Sequence, residues 1–404
     1  MAPEGGVQPA IAAAPLSRTA RGILGESGDD GWGMYMRARE LLDEGVKVWN
    51  LAIGDHDTRT DPRIVEAAAA ALRTGPLGYA PSGGTARLRA LLVGRARRHG
   101  HDVGPEGVQL TMGGQAALQI ACALTLDEGD ECVMIAPYYA SYPQTIRSTG
   151  GVPVVVAARA DDGFLPDPAA IAAAIGPRTR AILINTPNNP TGRVYPAELL
   201  AEIAGLCRRH DLWLISDEVY DGHVADGLVH VSPSTLPGMA GRTLVVNSLS
   251  KSHAMTGWRV GYLAGPDAAV GKGSAFVSST TYGVPAFIQA AAETALADCA
   301  DFEAALTARY RARAVAALEA LPADAPCRAV PPEGGMYLML DIRPSGLSGT
   351  AFAARFLEEE HVAVMPGESF GAAAAGQLRL ALVAPEDDLA DIAERLAACL
   401  GRAT

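Results

Sequence analysis

The chain has 404 residues, 49% of them apolar, which exceeds one small core and predicts a large domain with a smaller companion. Its formal net charge of −12 is spread over interspersed acids and bases with no basic stripe, which argues against nucleic acid or an anionic membrane as partner. No apolar run approaches the roughly 18 residues of a membrane span, and the scattered cysteines, which form no Cys-x-x-Cys pair, suit reduced thiols in a cytoplasm.

In chain order, residues 1–26 are rich in Ala and Pro, lack a signal-like apolar stretch and are expected to form a flexible arm. Residues 32–53 are expected to join the C-terminal part of the chain in a small domain. Between 108 and 265, short apolar or β-branched runs at 108–112, 131–136, 152–157, 181–185, 212–216, 243–247 and 261–264 alternate with helical periodicity at 116–126, 167–174 and 196–210. That alternation predicts a mostly parallel sheet covered on both faces, with ligands beyond the carboxyl ends of its strands. From 302 the pattern changes to a helix reaching about 321, a strand at 335–342 and helices at 350–360 and 386–400, a second α+β domain. The expected division is an arm at 1–26, the start of the small domain at 27–60, a large domain at 61–295 and the rest of the small domain at 296–404.

The polar residues of interest fall at the predicted strand ends. The first strand runs into Gly113-Gly114-Gln115, a glycine turn opening a helix whose free amides suit a phosphate, although a plain strand-to-helix turn explains it as well. Pro137-Tyr138-Tyr139 puts a flat ring at Tyr139, available for stacking or for core packing. The run Asn185-Thr186-Pro187-Asn188-Asn189-Pro190-Thr191-Gly192 fixes an extended loop that presents Asn189 to the cleft. The strand at 212–216 ends in Asp217-Glu218-Val219-Tyr220, where an Asp serves as a cap or turn residue as readily as a functional one.

Lysine is rare: Lys47, Lys251 and Lys272 are the only three. Lys251 stands among Ser248, Ser250 and Arg259, so an amine able to condense with an aldehyde lies beside hydroxyls and a guanidinium suited to a phosphate dianion. Pyridoxal phosphate carries both groups. An isolated Ser-Lys pair would be a surface turn, and the partners elsewhere decide between the two. With that coenzyme, Gly114 and Gln115 complete the phosphate cup and Tyr139 stacks on the ring. Asp217 keeps the ring nitrogen protonated, while Tyr220 and Asn189 reach the 3-oxygen, and Asn189 can also bond a substrate carboxylate. Near the C-terminus Arg379 interrupts an alternating strand, and a buried arginine needs an anion, either a substrate α-carboxylate or an internal acid.

Together these residues resemble the class I aminotransferases of pyridoxal-phosphate fold type I, from about Ser27 onward. The resemblance implies an α/β fold whose large domain has a mostly parallel seven-stranded sheet between helices. It implies Lys251 as the Schiff-base lysine, Asp217 as the ring-nitrogen partner, and Tyr220 and Asn189 at the 3-oxygen. Gly114, Gln115, Ser248, Ser250 and Arg259 fall at the phosphate, Tyr139 on the ring, and Arg379 with the Gly54 backbone at the substrate carboxylate. Tyr79 matches a tyrosine that reaches the neighbouring subunit's phosphate, which implies a homodimer with shared sites.

The implied reaction is ping-pong transfer of the α-amino group of an L-amino acid to a 2-oxo acid, with Lys251 as the base. Segments 28–32, 248–261, 341–348 and 367–371 are similar to family members that take arginine and pyruvate, so the expected donor is arginine or another basic or neutral amino acid. Asp29, Asp30, Asp55 and Asp57 then offer charge for a guanidinium, and Trp32 a lid or cation–π wall. The alternatives are an aspartate, alanine or aromatic aminotransferase, or a lyase or oxidase on the same cradle. One departure stands out: Gly54-Asp55-His56-Asp57 carries His56 where the family has proline, either to contact substrate or to relax the loop.

Overall fold

A computed structural model describes residues 14–25 and 32–402. A two-residue strand, β1 (Trp49–Asn50), precedes the seven strands of the main sheet. These are β2 (Val108–Thr111), β3 (Glu131–Ala136), β4 (Val152–Ala157), β5 (Thr179–Asn185), β6 (Trp213–Asp217), β7 (Thr243–Ser248) and β8 (Gly261–Ala264). Their order across the sheet is β2-β8-β7-β6-β5-β3-β4. Every pairing is parallel except those of β8, which runs against both β2 and β7.

The central strands read as continuous apolar runs because both faces are covered. Alternate residues go to opposite sides, as a period of two requires. Cys132, Met134, Ala181 and Leu183 pack with the helix Gly114–Thr125 on one face, while Val133, Ile135, Ile182 and Ile184 meet the helix Ala197–Arg209 on the other. The helices Pro62–Thr74, Ala86–Arg98 and Ala286–Asp298 form a further buried cluster beside β2 and β8.

Beyond residue 300 a four-stranded antiparallel sheet is built from β9 (Arg328–Val330), β10 (Tyr337–Asp341), β12 (Met365–Pro366) and β13 (Gln377–Ala381), in the order β12-β13-β10-β9. The helices Ala300–Glu319, Gly349–Glu360 and Glu386–Gly401 supply Leu306, Phe352, Phe356, Ile392 and Leu396 to its core. The strand β11 (Val362–Ala363) pairs in parallel with β1, tying the early segment to this later body. Among the described residues no helix is long and apolar enough to cross a membrane.

Candidate active site

The carboxyl ends of β3, β5, β6 and β7, with the start of β8, converge on one cavity of about 380 Å³ that also meets β13. Its lining includes Gly54, Gly114, Gln115, Tyr139, Asn189, Asp217, Tyr220, Ser248, Ser250, Lys251, Arg259 and Arg379. Residues far apart in the chain thus meet because a doubly covered sheet leaves its strand ends as the open crevice. Tyr79 stands elsewhere, 91% exposed, with its ring 5.4 Å from that of Tyr282.

The strand β7 ends at Ser248, whose Oγ accepts the Ser250 N–H at 3.1 Å and lies 2.8 Å from the Val260 carbonyl. This bond starts a single helical turn, Leu249–Ser252, from which Lys251 projects, and its amine donates to the Gly54 carbonyl. The chain returns through Arg259, held in the left-handed region at φ 56°, into β8. A side chain on Gly261 would lie 2.5 Å from the Gly113 backbone, so only glycine lets this return pass under the opening of the helix Gly114–Thr125. The first amides of that helix and the Arg259 guanidinium share one rim of the cavity, an arrangement suited to a phosphate.

The two carboxylates at the end of β6 have different fates. Glu218 is fully buried and accepts hydrogen bonds from Ser216 (2.8 Å), Ser232 (2.7 Å) and His230 (3.0 Å). Asp217 faces the cavity, accepting from the Tyr142 hydroxyl at 2.7 Å and the Val219 N–H at 3.3 Å. Burial pushes its carboxyl up to about 6, against those two bonds, which pull it down. A buried carboxylate in this condition calls for a cation opposite it.

Arg379 presents the converse. It is 4% exposed, its Nη1 donates to Asn189 Oδ1 at 3.0 Å and its Nη2 to the Ala52 carbonyl at 2.5 Å, and it has no carboxylate partner among the described residues. Its Nε is buried without a hydrogen-bond partner, and the rings of Tyr337 and Phe370 lie 4.4 and 4.7 Å from its guanidinium carbon. The internal acid that sequence reasoning left open as its partner is absent from this environment. Tyr220 donates to, or accepts from, Tyr337 at 3.0 Å, and Tyr139 meets Tyr142 edge-on at 5.8 Å.

Tyr142 and Tyr337 line the site without having been singled out in the sequence. Nothing local marks Tyr142 apart from Tyr138 and Tyr139, because its role depends on a contact with Asp217, 75 positions away. Asp57 is engaged by Arg313 through two bonds of 2.9 and 2.6 Å and does not face the cavity, whereas Asp55 and Trp32 do line it. Asp29 and Asp30, with most of the 28–32 segment, lie outside the described residues. His56 is not part of the lining: it bonds to the Ser250 carbonyl (3.0 Å) and the Tyr310 hydroxyl (2.5 Å), which tie the loop to two other elements.

A family model described as aminotransferase class I and II matches residues 46–396. The chain belongs to this family. It is 43% identical over 371 residues to an arginine–pyruvate transaminase of Pseudomonas aeruginosa, covering 91% of this chain and 94% of that one. An aspartate/prephenate aminotransferase of Thermus thermophilus is 40% identical over 372 residues, covering 91% and 94%. A solved structure of Thermus thermophilus aspartate aminotransferase with maleate superposes with a TM-score of 0.89 at 36% identity, covering 96% of this chain and all of that one.

This aminotransferase therefore depends on pyridoxal phosphate and moves an amino group between an amino acid and a 2-oxo acid. Its own residues fit the coenzyme. The cavity is lined by Lys251, Arg259 and the opening of the helix Gly114–Thr125, the buried Asp217 has no cationic partner among the described residues, and Arg379 with its orphaned Nε lines the same cavity.

Proposed function

We propose that Lys251 anchors the coenzyme and then moves the substrate proton, with Asp217 at the ring nitrogen and Arg379 on the α-carboxylate of both donor and acceptor. The observation that carries this reading is the buried Arg379 without an acidic partner, in the cavity shared with Lys251 and Asp217. When bound, pyridoxal phosphate supplies an aldehyde for amines and a ring that accepts electrons. The Lys251 amine, released by the incoming donor, is the base that takes the α-proton. Arg379 and the Gly54 backbone hold the carboxylate so that this proton faces Lys251. Gly114, Gln115, Ser248, Ser250 and Arg259 grip the phosphate, Tyr139 covers the ring, and Tyr220 with Asn189 binds the 3-oxygen. The two half-reactions share these residues, which gives ping-pong kinetics.

We further propose arginine, or another basic or neutral amino acid, as donor and pyruvate as acceptor. Asp55 and Trp32 both line the cavity, and among the described residues it offers no cation beyond Lys251, Arg259 and Arg379 for a second carboxylate. Rapid-mixing half-reactions with a panel of amino acids, read by coenzyme absorbance, test the choice; no response to arginine ends it. Sustained turnover of donor without any 2-oxo acid would instead reveal a lyase or oxidase.

The pH dependence of coenzyme binding checks Asp217. Its carboxyl is raised from 3.8 to about 6, so the associated stability is present below 3.8 and lost as pH rises through about 6. A cation against Asp217 removes that loss. The gain in melting temperature on adding coenzyme is expected to be larger at about pH 8 than at about pH 5, and Asp217→Asn to flatten the difference. Equal pH dependence in both proteins would count against the pairing.

The same reading divides the chain into an arm (1–26), a small domain (27–60 with 296–404) and a coenzyme-binding domain (61–295); the β1–β11 pairing supports joining the two ends. It makes the enzyme a cytoplasmic homodimer, with Tyr79 reaching the partner's phosphate. The exposure of Tyr79 and of Tyr282 (65%) supports this. Tyr79→Phe is expected to weaken coenzyme binding about tenfold, the worth of a charge-assisted hydrogen bond, as measured by dialysis equilibrium. An unchanged constant in a dimeric enzyme would place Tyr79 outside the site.

A further inference from the structure

The loop Gly54-Asp55-His56-Asp57 is fastened at each of its four residues. The Gly54 carbonyl accepts from the Lys251 amine, and Asp55 Oδ1 accepts from the Thr256 hydroxyl at 2.6 Å. Asp57 is held by Arg313. His56 sits between these attachments and reaches in both directions, with Nε2 3.0 Å from the Ser250 carbonyl and Nδ1 2.5 Å from the Tyr310 hydroxyl. Of these five contacts, two go to the turn Leu249–Ser252 that carries Lys251 and one goes to Thr256 in the return that follows it. The others go to the helix Ala300–Glu319, which bears both Tyr310 and Arg313.

The chemistry of the two partners fixes the ring. A carbonyl oxygen only accepts, so Nε2 carries the hydrogen, and Nδ1 of the neutral ring must then accept from Tyr310. Burial holds His56 neutral, down to about 3, with the Lys251 charge adding to the effect. A side chain with one polar end could not hold both partners at this separation. The ring packs against the Tyr310 ring at 5.8 Å, and Tyr310 is backed on its other contact by His223 at 5.7 Å.

We infer that His56 is a positioning residue for Lys251: held by Tyr310, it fixes the Ser250 carbonyl and with it the turn from which the amine projects. The inference rests on Lys251 being the coenzyme lysine. Lys251 is anchored at the base of its turn by Ser248, but the turn has only four residues, and the Ser250 carbonyl is otherwise bonded to the Met255 N–H at 3.2 Å. Removing His56 frees that carbonyl on the side facing Gly54. Lys251 then samples more orientations, and proton transfer suffers while carboxylate binding at Arg379 does not.

The test uses His56→Ala, His56→Gln, Tyr310→Phe and the His56→Ala/Tyr310→Phe pair in the full chain. In coenzyme-free enzyme, competitive acetylation is read by peptide mass spectrometry, with Lys47 and Lys272 as internal standards. His56→Ala is expected to change the relative reactivity of Lys251 at least threefold and to lower kcat of the loaded enzyme about tenfold, with the donor KM within twofold. His56→Gln, which keeps a donor for the carbonyl, recovers part of both. Tyr310→Phe has a smaller effect of the same kind that disappears when His56 is already Ala. Unchanged Lys251 reactivity and kcat in His56→Ala overturns the inference, as does an effect of Tyr310→Phe that is the same with and without His56. If His56→Ala fails to fold, Tyr310→Phe alone decides through the Lys251 labelling ratio. Failure of the underlying reading shows separately, as coenzyme that remains covalently trapped by borohydride in Lys251→Ala.

Discussion

Lys251→Ala is expected to lower turnover about 10,000-fold, since the anchoring amine and the base for the α-proton are lost together. The substitution removes the one amine that lines the cavity among the described residues and leaves the Gly54 carbonyl without its donor. Borohydride reduction followed by mass spectrometry should trap coenzyme on the Lys251 peptide of the parent enzyme and on no peptide of the variant. The phosphate rim is untouched, so the variant should still bind coenzyme reversibly. Multiple turnovers at more than a hundredth of the parent rate would refute the assignment of the base.

Arg379→Ala is expected to lower kcat/KM about 100- to 1000-fold for donor and acceptor alike, or about 3 to 4 kcal/mol of transition-state binding. Both substrates carry the same carboxylate, so a loss confined to one half-reaction would be inconsistent with the proposed role. Comparison with an amine lacking the carboxylate makes the test sharper. The parent enzyme should prefer the amino acid strongly, and the variant should have lost most of that preference. Arg379→Lys should recover only a fraction, because an ammonium cannot match the planar fork between Asn189, Ala52 and the substrate. Loss of the packing against Tyr337 and Phe370 is a separate effect, monitored by melting temperature.

Most of the sheet was legible because its signals are local. Continuous apolar runs ending in glycine, proline, asparagine or aspartate marked β2 to β8 to within a few residues, and the same strand ends held most of the proposed coenzyme ligands. Lys251 stood out through the scarcity of lysine and the serines beside it. Neither signal extends to Tyr142, Tyr337 or Tyr310, and His56 was marked only by the proline it replaces. The significance of each comes from contacts across 75 to 254 positions of chain, which no local pattern records. The antiparallel course of β8 was equally hidden, since a short apolar strand has the same composition in either direction. The acids suggested for a guanidinium were separable only in three dimensions, where Asp57 is taken by Arg313 and Asp55 opens on the cavity.

That antiparallel return has a consequence for length tolerance. Parallel neighbours are joined by crossovers that absorb added residues in a distant loop, whereas β7 and β8 are zipped directly together from Ser248 opposite Gly261. The span 249–260 is therefore a closed excursion with fixed ends, and it carries both the amine and the guanidinium of the cup. An inserted residue there has nowhere to go except into the spacing between those two groups. Homologous enzymes should vary freely in the length of their crossovers and hardly at all in this one.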